Sequence, residues 1–346
     1  MRIGITFDLV PVVASADGPD DRYEEFDKPQ TIEALAAVLR GEGHDVVLLG
    51  DGREFLHRVL ADPPDFVWNL AEGEGGGRNR EARVPAVLEM LGIPYSGSDP
   101  LTLAAALDKG VAKRLVADSV AVPKGFSFPA GLSSRAVGSL MHHAGLWEGA
   151  DQWIVKPCFE GSSKGIRARC IADTHEEAVE LYMVLSGDYG QPVLIEEFIA
   201  GDEVTVGIVG NGDGAEVIGA MRIRPKTPDS RFVYSIEVKR DWDERVAYET
   251  PAQLSADVMK HLIRSALGAY VALGCRDLAR IDFRIRDGVP YFIEANPLPG
   301  LAPDWSDLII LAGGMGISYA DMIRKVLRVA LLRVGLEPIS RARVGL

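Results

Sequence analysis

Two stretches of the 346-residue chain carry the residue types that phosphate and metal chemistry need. The first is Lys156-Pro157-Cys158-Phe159-Glu160-Gly161-Ser162-Ser163-Lys164-Gly165. Two glycines and two serines here follow a strand-like segment, so successive backbone N–H groups and hydroxyls can face an anion while Lys156 supplies a fixed positive charge. A solvated hairpin loop has the same composition. Gly161 to Gly165 also fits the G-x-S-x-G elbow of serine hydrolases, which has to pass from strand into helix. Residues 166–171 alternate like a strand instead, and only His175 and His261 follow as candidate bases, which counts against a hydrolase. The chain has no Walker A, G-x-G-x-x-G or H-E-x-x-H sequence.

The second stretch is Arg280-Ile281-Asp282-Phe283-Arg284-Ile285, a turn at Asp287-Gly288, and Tyr291-Phe292-Ile293-Glu294-Ala295-Asn296-Pro297. Strand alternation puts Arg280, Asp282 and Arg284 on the face opposite Ile281, Phe283 and Ile285. A three-residue connection, Asp287 to Val289, sets Asp282 across from Glu294 and Arg280 across from Asn296; a two-residue turn misplaces Glu294. Two carboxylates about 4 Å apart repel by roughly 4 kcal/mol at an effective dielectric of about 20, so such a face asks for a cation. With the Asn296 oxygen the donor set is all oxygen, which suits Mg²⁺ rather than Zn²⁺. A solvated hairpin neutralised by Arg280 and Arg284 is the alternative.

Positioning these groups requires a layered α/β protein. The first hundred residues alternate strand and helix signals: Ile3 to Phe7, Thr31 to Arg40, Val46 to Leu49, Asp65 to Asn69, then a helix from Glu81 to Leu91, which predicts a parallel α/β unit. Ser96 to Pro100 reads as a linker, followed by helices over Leu101 to Leu107 and Lys109 to Asp118, the second capped by Asp108. Beyond Trp153 come short strands at Trp153 to Lys156, Ile166 to Ile171, Val193 to Phe198, Glu203 to Val209, Val217 to Arg224 and Phe232 to Val238. A helix at Thr174 to Leu185 lies among them. A long helix with Val258, Leu262, Leu267 and Val271 on one face stops at Gly274, and the Ala279 to Ala295 hairpin and a helix at Tyr319 to Val334 follow.

Composition narrows the partners. Lys plus Arg number 37 against 50 Asp plus Glu, and a net charge of −13 is the wrong sign for a nucleic-acid binder. The three cysteines are odd in number and without CxxC spacing, which fits a reducing, cytoplasmic setting. No apolar run approaches the roughly 20 residues that span a bilayer. Arg2 and Ala14-Ser15-Ala16 imitate a signal peptide, but Asp8 and Pro11 interrupt it, and a buried first strand accounts better for Ile3, Ile5 and Phe7.

Five ordered segments, Ile93 to Ser98, Leu107-Asp108-Lys109, Lys156 to Gly165, Val193 to Glu203 and Arg280 to Gly300, together resemble the ATP-grasp superfamily and, within it, the D-alanine-D-alanine ligase family. The resemblance implies three units: an N-terminal parallel α/β domain over 1–100, a central subdomain with the phosphate loop over 101–197, and a C-terminal subdomain with the metal-binding hairpin over 198–346. ATP would lie between the last two. The resemblance gives Lys109 and Lys156 to the phosphates, with the loop residues Glu160, Gly161, Ser162, Ser163 and Gly165 closing over them. Adenine goes to Glu196, Glu197, Phe198 and Ile199, and ribose to Glu203. Asp282, Glu294 and Asn296 would hold Mg²⁺, two ions, with Mn²⁺ able to replace it. Arg280 would stabilise charge developing on the acyl group, while Ser162 and Lys239 complete the catalytic set. The implied reaction joins a carboxylate to an amine through an acyl phosphate.

The substrate residues depart from the family pattern. Trp68-Asn69-Leu70-Ala71-Glu72-Gly73 lacks the family's histidine, and Gly75 to Arg80 follows like an insertion. Arg240 replaces the tyrosine after Lys239, and Pro299-Gly300 to Ser306 puts Trp305 at or next to the carboxylate-binding serine. Either Glu24 or Glu25 would hold the first substrate's amine. These changes lead us to expect a substrate pair other than D-alanine with D-alanine, larger or more acidic, met by Arg78, Arg80, Arg240, Gly300 and Trp305. An ordinary D-alanine-D-alanine ligase is the alternative, and a non-catalytic ATP-binding protein another. Small-molecule carboxylate and amine substrates are the expected partners, without nucleic acid or membrane; a homodimer is left open.

Overall fold

The computed structural model describes residues 1–11, 18–145 and 150–336; the Ala14-Ser15-Ala16 triplet lies outside them. Strands β1 (Arg2–Thr6), β2 (Asp45–Leu48) and β3 (Phe66–Asn69) form a parallel sheet in the order β2-β1-β3. Alternate residues of β1 face two cores, so helices cover both sides. Ile3 and Ile5 pack with Leu35 and Leu39 of α1 (Pro29–Gly41). Phe55 of α2 (Gly52–Ala61) and Leu88 of α3 (Arg83–Leu91) meet Val67 on the other side. Helices α4 (Pro100–Leu107) and α5 (Lys109–Val116) follow, capped by the Asp99 and Asp108 carboxylates, which accept from the Thr102 and Val111 N–H groups.

An antiparallel sheet, order β4-β7-β5-β6, comprises β4 (Gly125–Phe128), β5 (Trp153–Pro157), β6 (Ile171–Ala172) and β7 (Val193–Glu197). Helices α6 (Ser134–His143) and α7 (His175–Tyr189) share its core through Val137, Met141, Ala178 and Tyr182.

The second antiparallel sheet, order β10-β9-β8-β11-β12, is built from β8 (Asp202–Val209), β9 (Glu216–Pro225), β10 (Val246–Glu249), β11 (Leu278–Arg286) and β12 (Val289–Asn296). The short helices α8 (Ile236–Arg240) and α9 (Trp242–Arg245) precede β10, and α10 (Ala256–Leu273) packs on one face together with α5. Helix α11 (Asp307–Gly314) covers the other face, and α12 (Tyr319–Arg333) returns to the N-terminal core beside α1. Packing therefore crosses the sequence boundaries at 100 and 197, since α5 joins the last sheet and α12 the first.

Four local expectations need correction. Ser96 to Pro100 is no free linker: the Ser96 hydroxyl accepts from Asn69 N–H, Gly97 N–H donates to Asp277, and the Ser98 hydroxyl accepts from Arg276 N–H, so the segment is pinned on both sides. Residues 166–170 form turns rather than a strand, because Arg167 and Gly165 N–H are drawn to Asp20 and Asp21 instead of a neighbouring strand. Phe232 to Val238 has buried alternate side chains but runs into α8 without a strand partner. Val271 is 67% exposed; the buried face of α10 is Leu262, Ala266, Ala269, Tyr270 and Leu273.

The hairpin corrects a fifth. Arg286 pairs with Val289, so the turn has two residues, Asp287 and Gly288, both at positive φ as Asp-Gly hairpin turns require. Glu294 nonetheless sits across from Asp282, because the ladder slips by one between Asp282 and Phe283 and leaves Ile293 as an extra, bulged residue.

Candidate active site

The two antiparallel sheets face each other across a cleft. One cavity of about 820 Å³ is lined by Lys156, Ser162, Ser163, Glu196, Glu197, Phe198, Ile199, Glu203, Lys239, Arg280, Asp282 and Glu294. Ten of the fifteen residues assigned to nucleotide and metal thus converge; Lys109, Glu160, Gly161 and Asn296 line an adjoining cavity instead. Lys156, on β5, is buried and its Nζ lies 2.7 Å from Glu196 Oε1, while Lys113 Nζ lies 3.1 Å from Glu196 Oε2. Burial pushes the Glu196 carboxyl up, but the Lys113 and Lys156 ammoniums overcome it and hold it below the usual range. For Lys113 burial wins, and its ammonium falls to about 8. Lys109, at the start of α5, reaches the Glu160 carbonyl and lies 3.2 Å from Glu294 Oε2.

On the β11–β12 face, Asp282 stands opposite Glu294 and Arg280 opposite Asn296. Arg280 Nη2 is 2.9 Å from Asp282 Oδ2, the Thr205 hydroxyl donates to Asp282, and Asn296 Nδ2 donates to Asp282 Oδ2 at 3.2 Å. Burial raises the Glu294 carboxyl, yet Lys109, Lys156 and Arg280 outweigh it and draw it down to about 2. At Asp282 burial, reinforced by Glu294, prevails over Arg280, so its carboxyl lies above the ordinary value. Two carboxylates and an amide on one strand-pair face, with cations alongside, fit a hard cation that takes oxygen donors and retains waters.

Sequence reasoning missed the residue that fixes the segment after β7. Arg284 read as a neutraliser of neighbouring acids, but its buried guanidinium donates to the carbonyls of Ile199, Gly201 and Phe232 and pairs with Glu203 at 2.8 Å, and it lies over the Phe198 ring at 4.8 Å. Lys113 was missed as well. It lies four residues after Lys109 on α5, so helical spacing was the available signal.

A second cavity, about 550 Å³, joins the first at Ser162, Arg280 and Glu294 and is further lined by Glu25, Glu72, Glu81, Lys109, Glu160, Gly161, Asn296 and Gly300. Glu25 faces it, and Glu24 does not, being paired with Arg240 at 2.8 Å. The polar Glu160 to Gly165 loop offers few apolar side chains for packing. Instead Gly161 N–H donates to Glu25, Lys164 pairs with Glu25 and Glu160, Gly165 N–H donates to Asp21, and the Ser163 hydroxyl donates to the Tyr234 carbonyl. A Cβ at position 161 would lie 2.6 Å from Glu25 Oε1, so a larger residue there would push this carboxylate aside. Ser162 and Ser163 hold positive φ, and no helix follows them, so the hydrolase elbow is absent. Glu25→Gln should loosen the loop, seen as faster protease cleavage near residue 162 without nucleotide; unchanged cleavage would show the loop is held elsewhere.

The residues expected to reshape the substrate end lie mostly outside it. Trp305 is 43% exposed, carries the Lys28 ammonium over its ring, and does not line the cavity. Arg240 is committed to Asp20 and Glu24, and Arg78 pairs with Asp108. Arg80 is buried behind the wall, 2.9 Å from Glu25 and bonded to the Phe159 carbonyl. No helix of the described residues is long and apolar enough to cross a membrane.

Fold and site together define a ligase of the ATP-grasp class, which forms carbon–nitrogen bonds. A family model for the D-ala D-ala ligase C-terminus matches residues 152–328, and the chain belongs to the D-alanine–D-alanine ligase family. The D-alanine–D-alanine ligase of Gloeobacter violaceus is 33% identical over 325 residues, covering 92% of this chain and 98% of its own length. That of Cupriavidus pinatubonensis is 35% identical over 300 residues, covering 86% of this chain and 85% of its own. The D-alanine–D-alanine ligase from Bacillus anthracis complexed with ATP superposes with a TM-score of 0.70 at 24% identity, covering 96% of this chain and 98% of that one. The VanG D-Ala:D-Ser ligase from Enterococcus faecalis superposes with a TM-score of 0.69 at 21% identity, covering 95% of this chain and 99% of that one.

Proposed function

We propose that the protein binds ATP between β5–β7 and β11–β12 and uses it to join two small D-amino acids, D-alanine first among them, through an acyl phosphate. The observation that carries this reading is the meeting of the two cavities at Ser162, Arg280 and Glu294. A carboxylate entering from the substrate side reaches the end of a triphosphate held by Lys109 and Lys156. Its oxygen attacks the γ-phosphorus and ADP leaves; the amine nitrogen of the second substrate then attacks the acyl carbon, phosphate leaves, and the amine proton passes to solvent. Arg280 faces the charge that builds on the acyl oxygens, and the pinned loop excludes water from the acyl phosphate. Mg²⁺ held by Asp282, Glu294 and Asn296, or Mn²⁺ in its place, would screen the phosphate oxygens. Glu196 to Ile199 and Glu203 take the base and ribose, and Lys239 closes the cleft from α8.

D-alanine is favoured over a larger acidic substrate because Trp305, Arg78 and Arg240, the groups that would have altered the pocket, lie away from it or are committed to other acids. The test is phosphate release from Mg-ATP with D-alanine, followed by mass spectrometry. D-alanyl-D-alanine is the expected product. A rise in Tm with ATP but no amino-acid-dependent phosphate release, with D-alanine or any other small amino acid, would mark a nucleotide-binding protein without ligase activity.

A further inference from the structure

Arg280 is gripped on two edges by acids from two different elements. Asp282 takes one edge, 3.1 Å from Nε and 2.9 Å from Nη2. The remaining nitrogen, Nη1, lies 3.4 Å from Asp307 Oδ2. Asp307 is the first residue of α11, where the helix N-terminus favours a carboxylate; it is buried and lines the nucleotide cavity beside Arg280. Its place is fixed from behind. The Tyr234 hydroxyl donates to Asp307 Oδ1 at 3.4 Å and shares a hydrogen bond of 2.5 Å with the Tyr248 hydroxyl of β10. Burial, and after it the Asp307 charge, pushes both phenols up, so each keeps its proton. One of these two protons makes the bond between the phenols, and the other goes to the carboxylate.

We infer that Asp307 is a positioning residue for ligation: it fixes the Arg280 guanidinium where the two cavities meet, without itself lining the substrate cavity. The inference rests on the ligase reading above. Neutralising Arg280 would not require Asp307, since Asp282 pairs with it and Glu294 Oε1 lies 3.9 Å from Nη2. What Asp307 adds is direction. A guanidinium is flat and carries five N–H groups, and a carboxylate on one edge alone lets the plane swing about that edge. With Asp282 taking the Nε proton and one on Nη2, and Asp307 facing Nη1, one proton on each terminal nitrogen is left among the described residues for a substrate oxygen. Asp282 is also claimed by the proposed metal site, so its hold on Arg280 is shared. Asp307 pairs with no other base among the described residues, and Tyr234, which holds it, also accepts the Ser163 hydroxyl of the loop at its carbonyl.

The test compares wild type, Asp307→Asn, Arg280→Lys and the double variant by phosphate release with Mg-ATP and D-alanine, and by side-chain NMR of Arg280. Asparagine keeps the shape and an oxygen for Tyr234, so Tm should stay within about 4 °C of wild type. Asp307→Asn should lower kcat about 10- to 100-fold and leave KM for ATP and D-alanine within about threefold. An arginine displaced by about an ångström fails the charge that develops in the transition state, not the ground state. Added to Arg280→Lys, the same change should lower kcat by less than about threefold, because no guanidinium remains to be placed. The Nη1 proton signal, assigned by its absence from Arg280→Lys, should be resolved in wild type and lost in Asp307→Asn, while the Nε signal held by Asp282 persists. A loss that multiplies in full with that of Arg280→Lys, a loss confined to KM, or an Nη1 signal untouched by Asp307→Asn would overturn the inference. Wild type that makes D-alanyl-D-alanine, with kcat unchanged in Asp307→Asn, discards the positioning role alone. Wild type that ligates nothing, while Asp307→Asn still removes the Nη1 signal, keeps the anchor on Arg280 and discards the ligase.

Discussion

Glu294→Gln and Asp282→Asn are each expected to lower ligation by roughly 100- to 1,000-fold, the scale on which removing one well-placed electrostatic group acts. Both side chains lie on the cleft face of β11–β12 rather than in the apolar core, and each replacement keeps its shape and a hydrogen-bonding oxygen. The fold should persist, with Tm within about 4 °C of wild type. Steady-state phosphate release measures the loss, and titration with Mg²⁺ should show a raised metal requirement in both variants. Wild-type turnover in either would move the metal away from this hairpin.

Arg284→Met should destabilise the protein by about 3–5 kcal/mol, because it leaves the half-buried Glu203 without its partner and strips a donor from three carbonyls. Methionine fills the stem but donates nothing. The same guanidinium fixes the backbone at Ile199 and Gly201, beside the residues proposed for base and ribose, so nucleotide affinity should fall with stability. Denaturant midpoints report the first effect and the ATP-dependent rise in Tm the second. A variant as stable as wild type that still binds ATP normally would show that the backbone at Ile199 and Gly201 is organised without Arg284.

Most of the architecture was legible because the signals were local. Period-two alternation marked the hairpin strands, Asp108 marked the start of α5, and the loop composition marked the turn after Lys156. Two of the misread segments share one cause: their partners lie far away in the chain. Ser96 to Ser98 is fixed by residues 276 and 277, and the loop after Gly165 by Asp20 and Asp21. Long-range pairing also explains why Arg284 escaped notice. Arg284 works through carbonyls up to 85 positions distant, and nothing in its neighbourhood distinguishes it from a surface arginine on a strand.

The extra residue in β12 has a consequence for how this pocket can change over time. In an unbroken strand Ile293 and Glu294 would point to opposite sides, yet both line the nucleotide cavity, one apolar and one acidic, while the Ile293 carbonyl accepts from Lys113 at 3.0 Å. Deleting Ile293 would restore a regular ladder and still leave the acid across from Asp282. The greasy contact would go and the charge would stay. Shape and charge in this cleft are therefore separately heritable: a single-codon deletion removes part of the apolar wall and keeps the acid in its place across the ladder.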